Sequence, residues 1–190
     1  FATKKARVLL STTIEEFNID NKEVVINEKK LSYDLIVSTI SPDILYNYKY
    51  GKLKFLGRKL HTIVFPTEFV LPDNVYFLYY ANSEEFTRLV EYKKFTHHKS
   101  KNSLIGMEIP TLDGGKHYPL PFKEEQALAK KYLDELPDGV FSIGRAGTYL
   151  YGVDIDDCIR QAMIMKDQIK NGTQDNPVPG IEYHFPELGD

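Results

Sequence analysis

The residues best suited to chemistry in this sequence surround an arginine near the end of the chain. An apolar run, Val140–Ile143, leads into Gly144-Arg145-Ala146-Gly147, and a helical pattern restarts at Asp154. Glycines let the backbone approach a ligand closely, a guanidinium matches two phosphate oxygens, and the amides from Ile155 onward carry positive partial charge. The spacing indicates an anion site. The alternative is an ordinary strand, a surface arginine and a capped helix.

A second arginine, Arg88, lies in an apolar and aromatic run that predicts a strand over Thr87–Phe95. Alternation along that strand places Arg88 on the same face as Val90 and Tyr92. If the face is covered, the guanidinium needs an anionic partner. The alternative is an arginine at a sheet edge whose head reaches water.

Other reactive residue types offer less. His97 and His98 stand in a lysine-rich turn without cysteines or carboxylates at ligand spacing, so we predict no metal site. Cys158 falls on an apolar helical stripe and is expected in the core rather than as a nucleophile. The sequence has no G-x-G-x-x-G, and thus no dinucleotide fingerprint of its own.

Composition limits the partners. The formal net charge is -3 and the pI is about 6.0, which argues against nucleic acid and acidic membrane surfaces. No apolar run approaches the roughly 20 residues of a membrane span, and a single cysteine excludes an internal disulfide. We therefore predict a cytoplasmic protein. Because residue 1 is Phe, the chain is either a processed product or a part of a longer polypeptide, and we expect the second.

The elements that must position these residues predict an α+β fold. Two short strands, Val8–Leu10 and Val24–Ile26, precede the wholly apolar Leu35–Val37, which is expected to be covered on both faces. Ser41 and Pro42 then open a short helix to about Tyr46.

An antiparallel sheet and two helices follow. The predicted elements are strands Leu60–Phe69, Val75–Ala81, Thr87–Phe95 and Leu104–Ile109, a helix from Lys123 to Leu136, and a helix from Asp154 that buries Ile155, Cys158, Ala162, Met165 and Ile169. Asp154 and Asp157 form a capping box at the start of the last helix. A polar tail ends the chain.

Five sequence blocks in this order resemble one family. They are Ser38-Thr39-Ile40-Ser41-Pro42-Asp43, Gly51–Phe55, Phe86–Phe95, His117-Tyr118-Pro119-Leu120 and Gly144–Tyr151. From about Arg7 to Ile169 the chain resembles the C-terminal half of UDP-galactopyranose mutase.

The resemblance implies the organisation of a flavoenzyme. Residues 1–47 and 122–172 would belong to a Rossmann-type FAD domain whose fingerprint half lies upstream, residues 48–121 would form the antiparallel sheet of a substrate lobe, and 173–190 would be a polar tail. The upstream half of the polypeptide and a UDP-sugar are the implied partners, and homo-oligomer formation stays open. The part in hand is expected to be inactive alone.

The resemblance also implies an isomerase that interconverts UDP-galactopyranose and UDP-galactofuranose on reduced FAD without net redox change. Arg88, Tyr118 and Tyr151 would bind the substrate pyrophosphate. The cofactor-binding residues would be Arg145, Gly144, Gly147, Asp154 and Ile155. Val153 stands where the bacterial pattern has an acidic or amide residue, so Asp154 arrives one position late.

Two other interpretations remain. One is a fragment of an FAD oxidoreductase of the amine oxidase type, which shares the Gly-Arg-x-Gly strand and helix. The other is a stand-alone nucleotide-sugar binding domain, because the fingerprint is absent.

Overall fold

The computed structural model describes residues 6–175. In chain order the elements are β1 (Glu16–Asn18), β2 (Glu23–Ile26), β3 (Lys29–Ser32), β4 (Ile36–Ser38), α1 (Pro42–Leu45), β5 (Phe55–Phe65), β6 (Phe77–Tyr79), β7 (Arg88–Glu91), α2 (Tyr92–Thr96), β8 (Ser103–Thr111), β9 (Tyr118–Pro119), α3 (Lys123–Leu133), β10 (Val140–Ser142), α4 (Gly144–Gly147) and α5 (Ile155–Asn171). The mixture of helices with antiparallel sheets agrees with the predicted α+β class. The predicted tail lies largely outside the described residues.

The elements divide into two units. The first combines the described residues up to Leu53 with those from Pro119 onward, and the second is Lys54–Tyr118. The assignment of residues 1–47 and 122–172 to a flavin domain, and of 48–121 to a substrate lobe, stays a prediction.

The first unit is built around a parallel strand pair. β4 pairs with β10, with Ile36 opposite Val140 and Ser38 opposite Ser142. Residues of α1, α3 and β10 share a core with Ile19 and Leu136; its members are Ile19, Leu45, Leu133, Leu136 and Val140. The expectation that Leu35–Val37 is covered on both faces is wrong, because Leu35 and Val37 are both exposed.

Helix α5 is capped as the sequence predicts. Asp154 and Asp157 form the capping box, and Gly172 ends the helix in the left-handed conformation at φ 65°. Its predicted apolar stripe is wrong at both ends, since Ile155 is 82% exposed and Ile169 is also exposed. The middle of the stripe is confirmed, since Ala162 and Met165 pack against the core, and the buried face also includes Gln161 and Gln168.

The second unit is an antiparallel sheet in the order β6-β7-β8-β5-β9. Its centre is the long β5–β8 pair, which runs in register from Gly57 opposite Thr111 to Phe65 opposite Ser103. Strand β5 begins at Phe55, five residues before the predicted Leu60. The earlier start adds Arg58 to the sheet.

The strand predicted over Thr87–Phe95 is only half correct. It ends at Glu91, and the short helix α2 follows because buried side chains there replace the strand ladder. Lys93 Nζ donates to the carbonyls of Glu68 at 2.6 Å, Ser100 at 2.7 Å and Asn102 at 3.2 Å. Patterns of apolar residues carry no information about such contacts.

The strand predicted at Val8–Leu10 is wrong, since these three described residues are exposed and outside any strand. Val24–Ile26 is confirmed as most of β2, with β1 and β3 on either side.

Candidate functional site

One face of the sheet in the second unit carries two arginines and a glutamate on adjacent strands. Arg88 on β7 stands opposite Glu108 on β8, and Arg58 on β5 stands opposite Pro110, two positions along β8. Positions two apart in a strand share a face. The pairing register therefore brings both guanidiniums to the same carboxylate.

Glu108 accepts hydrogen bonds from both arginines. Arg88 Nη2 lies 2.9 Å from Oε1, Arg88 Nε lies 3.1 Å from Oε2, and Arg58 Nη1 lies 2.6 Å from Oε2. The Arg88 contact is bidentate, which is the fork geometry that guanidinium offers to carboxylates and phosphates alike. The anionic partner that the sequence required for Arg88 is therefore Glu108.

Tyrosines extend this cluster on both sides. Arg58 Nη2 donates to the Tyr118 hydroxyl at 3.0 Å, and Arg88 Nη1 lies 3.4 Å from the Tyr79 hydroxyl. The guanidinium of Arg88 also lies 5.6 Å from the centre of the Tyr79 ring and 5.8 Å from that of Phe77. Tyr79 is 69% exposed, so this side of the cluster borders solvent.

The cluster holds a net positive charge. Burial alone would raise the pKa of Glu108, but the hydrogen bonds and charges of Arg88 and Arg58 keep it below its ordinary value. Burial alone would lower the pKa of Arg88. The contacts of Arg88 with Glu108 and Tyr79 outweigh the effect of burial, so the pKa of Arg88 is raised. Two cations against one anion leave a charge of +1, which favours a further anion.

The Gly-Arg-x-Gly segment forms a compact turn in the first unit. Gly144 adopts φ 79°, and its N–H donates to Gln161 Oε1 on α5 at 2.7 Å. A Cβ at Gly147 would lie 3.0 Å from Ser142 Oγ and 3.3 Å from Ser38 O. Both glycines thus have structural reasons to be glycine, apart from any ligand.

Arg145 holds the start of α5 from this turn. Its Nε donates to the Val153 carbonyl at 2.8 Å, and its Nη2 lies 2.7 Å from Asp154 Oδ1. The side chain of Arg145 retains partial exposure while that of Asp154 is mostly exposed. Asp154 therefore both caps α5 and forms an ion pair with Arg145.

The loop before α5 is anchored by one tyrosine and exposes another. Tyr149 is fully buried at φ 54°, and its hydroxyl accepts the N–H of Leu120 at 3.3 Å. Gln126 Nε2 donates to the Tyr149 carbonyl at 3.1 Å. Tyr151, two residues later, is half-exposed and oriented by this anchored loop.

The structure brings some of the predicted site residues together. In the second unit, Arg88 and Tyr118 are linked through Glu108 and Arg58. In the first unit, Tyr151 and the predicted cofactor-binding residues Gly144, Arg145, Gly147, Asp154 and Ile155 lie in or beside the turn and the start of α5.

Sequence reasoning missed Arg58, Glu108 and Tyr79. The sequence predicts a strand that begins only at Leu60, which leaves out Arg58, whereas β5 begins at Phe55. Glu108 is not predicted because strand pairing is not visible in a single sequence. One signal in the sequence could have identified Arg58: it lies two positions before Leu60, so a strand extended to include it would place both residues on the same face.

Residues 6–175 contain no group of three or more His, Cys, Asp and Glu side chains that could hold a metal. No helix within that range is long and apolar enough to cross a membrane. The predicted cytoplasmic location is untested by this observation.

Comparisons with known proteins agree on one family. A family model described as UDP-galactopyranose mutase matches residues 2–151. A crystal structure of reduced UDP-galactopyranose mutase superposes with a TM-score of 0.67 at 16% identity, covering 86% of this chain and 47% of that one, so the chain spans less than half the length of that protein. A search of curated proteins found no match. On the extent of the family match, the chain belongs to the UDP-galactopyranose mutase family.

Proposed function

We propose that this chain supplies part of the substrate site and part of the flavin site of an enzyme that interconverts UDP-galactopyranose and UDP-galactofuranose. The observation that carries the proposal is the positively charged sheet face of Arg58, Glu108 and Arg88, which borders solvent beside Tyr79. A site for a sugar nucleotide must neutralise its diphosphate, and arginine forks do so with charge-assisted hydrogen bonds.

The substrate residues divide between the two units. In the second unit, Arg88 binds the pyrophosphate through its guanidinium and the Tyr118 hydroxyl donates to the same group. In the first unit, Tyr151 offers its hydroxyl to the substrate. Tyr151 suits this role better than Tyr149, because Tyr149 is buried and its hydroxyl accepts a backbone N–H.

The residues at the start of α5 fit an anionic cofactor such as FAD. Ile155 is 82% exposed at the first helical position, where backbone amides carry positive partial charge. Arg145 adds a cation, and Gly144 and Gly147, both buried, shape the turn that carries it. When bound, the reduced flavin supplies the nucleophile of the isomerisation. The chain's own residues bind and orient the cofactor and the substrate, and they balance the negative charge of both.

An exposed apolar stripe on α5 supports a larger flavin domain. Ile155, Ile159 and Met163 recur every four residues and are all exposed. A helix normally buries such a stripe. We infer that the upstream half of the same polypeptide, which would carry the dinucleotide fingerprint, packs against this stripe and buries it. Without that half, the chain is expected to be inactive.

Flavin uptake by the complete polypeptide, including its upstream half and here called the intact protein, tests this proposal. The purified protein should show the visible absorption of bound FAD, or acquire it when FAD is added. Arg145→Ala should lower the retained flavin, while Arg160→Ala, which removes an exposed arginine on α5, should leave it unchanged. An intact protein that takes up no FAD would refute the flavin assignment.

A further inference from the structure

Glu108 is held by two arginines in the way a bound phosphate would be. Its two carboxylate oxygens accept four hydrogen bonds from the guanidiniums of Arg88 and Arg58. Carboxylate and phosphate oxygens compete for the same fork of N–H donors. An incoming anion would therefore meet donors that are already occupied.

The donors are nevertheless accessible. The side chains of Arg58 and Arg88 are 30% and 25% exposed, while that of Glu108 is 11% exposed. Both cations thus present part of their surface to solvent above a mostly covered carboxylate. A diphosphate bears more negative charge than one carboxylate and offers more acceptor oxygens, so it can draw both guanidiniums away from Glu108.

We propose that Arg58 is a second arginine of the diphosphate site, and that Glu108 occupies one phosphate position until a diphosphate ligand displaces it. This inference rests on the proposed function, because it assumes that the ligand bears a diphosphate. The Tyr118 hydroxyl accepts a hydrogen bond from Arg58 Nη2 at 3.0 Å and helps to orient Arg58. Glu108 keeps both arginines paired while the site is empty, which avoids two uncompensated cations side by side.

The proposal predicts effects of opposite sign for two neighbouring substitutions. Arg58→Ala removes a charge-assisted contact to the ligand and should weaken UDP binding about tenfold or more. Glu108→Gln removes the competing charge and should tighten UDP binding severalfold, on the order of 3-fold to 10-fold. If Glu108 served only to position the arginines, its replacement would weaken binding instead.

Calorimetric titration of the intact protein with UDP and with UMP measures these effects. The preference for UDP over UMP should fall in Arg58→Ala, because the second arginine serves the second phosphate. Arg58→Lys should bind UDP with intermediate affinity, since it keeps the charge but loses the fork. Lys59→Ala is the matched control: it removes a cation from the next position of β5, on the opposite face, and should change nothing.

The outcomes separate this inference from the proposed function. Wild-type affinity in both Arg58 variants, or weaker binding in Glu108→Gln, would overturn the inference while Arg88→Ala still confirmed a UDP site. An intact wild-type protein that bound no UDP would overturn the proposed function itself. Unchanged circular dichroism in each variant establishes that the comparison is made between folded proteins.

Discussion

Substitution of Glu91, the last residue of β7, tests how buried contacts stabilise the end of the strand that carries Arg88. Glu91 is fully buried, and its two oxygens accept the N–H groups of Val70 and Leu71, each at 3.0 Å, and the hydroxyl of Ser103. Lys94 Nζ lies 3.5 Å from Oε2. In Glu91→Gln, the new amide NH₂ replaces one of the two oxygens, so one backbone N–H faces a donor.

The cost follows from these contacts. An orphaned buried N–H costs about 1–3 kcal/mol, and the weakened pair with Lys94 adds to it, so we expect a local destabilisation of about 3 kcal/mol. Hydrogen exchange of the 70–71 amides in the intact protein should then accelerate roughly 100-fold. Glu84→Gln, at an exposed position in the same unit, is the control and should leave exchange unchanged.

The effect should also depend on pH. Burial alone would raise the pKa of Glu91, but hydrogen bonds from Ser103, Leu71 and Val70, with the charge of Lys94, hold it below its ordinary value. The stability it contributes is therefore present above the unfolded-state pKa and is lost as pH falls through the folded-state pKa. The difference in amide exchange rate between the wild type and Glu91→Gln should therefore become smaller as the pH is lowered. A change in exchange below about threefold at neutral pH would refute the reasoning.

Three further substitutions test the two units separately. Arg88→Ala should weaken UDP binding by about 1.5–3 kcal/mol in calorimetry, and unchanged affinity would remove Arg88 from the site. Arg145→Ala should weaken FAD retention more than UDP binding, and the reverse ranking would mean that the two arginines have exchanged roles. Tyr132→Phe should destabilise the protein to urea by about 1–3 kcal/mol, because the buried hydroxyl accepts from Tyr50 N and donates to Gly51 O, each at 2.7 Å. A loss near zero would show that water replaces these contacts.

Local signals predicted some elements well. The capping box of Asp154 and Asp157, the Ser41-Pro42 helix start and the helix start at Lys123 are confirmed, because each depends on residues adjacent in sequence. The predicted end of that last helix at Leu136 is wrong, since α3 ends at Leu133. The end of β7 at Glu91 was missed, since it depends on contacts with residues about 20 positions away.

The candidate site shows the same division. Arg88 was identifiable because a cation in an apolar strand requires a partner. Its partner Glu108 and the neighbour Arg58 depend on the pairing of β7, β8 and β5, and pairing register is a tertiary property. The apolar stripe predicted on α5 is correct at Ala162 and Met165 but wrong at Ile155 and Ile169, because periodicity shows that a stripe exists but not how far other elements cover it.

The most direct test of the account is product analysis after incubation of the intact protein with UDP-galactofuranose, with and without dithionite. We predict conversion to UDP-galactopyranose that requires prior reduction and consumes no oxygen. Oxygen-dependent turnover, or no conversion by a reduced protein that binds both FAD and UDP, would contradict the proposed mutase activity.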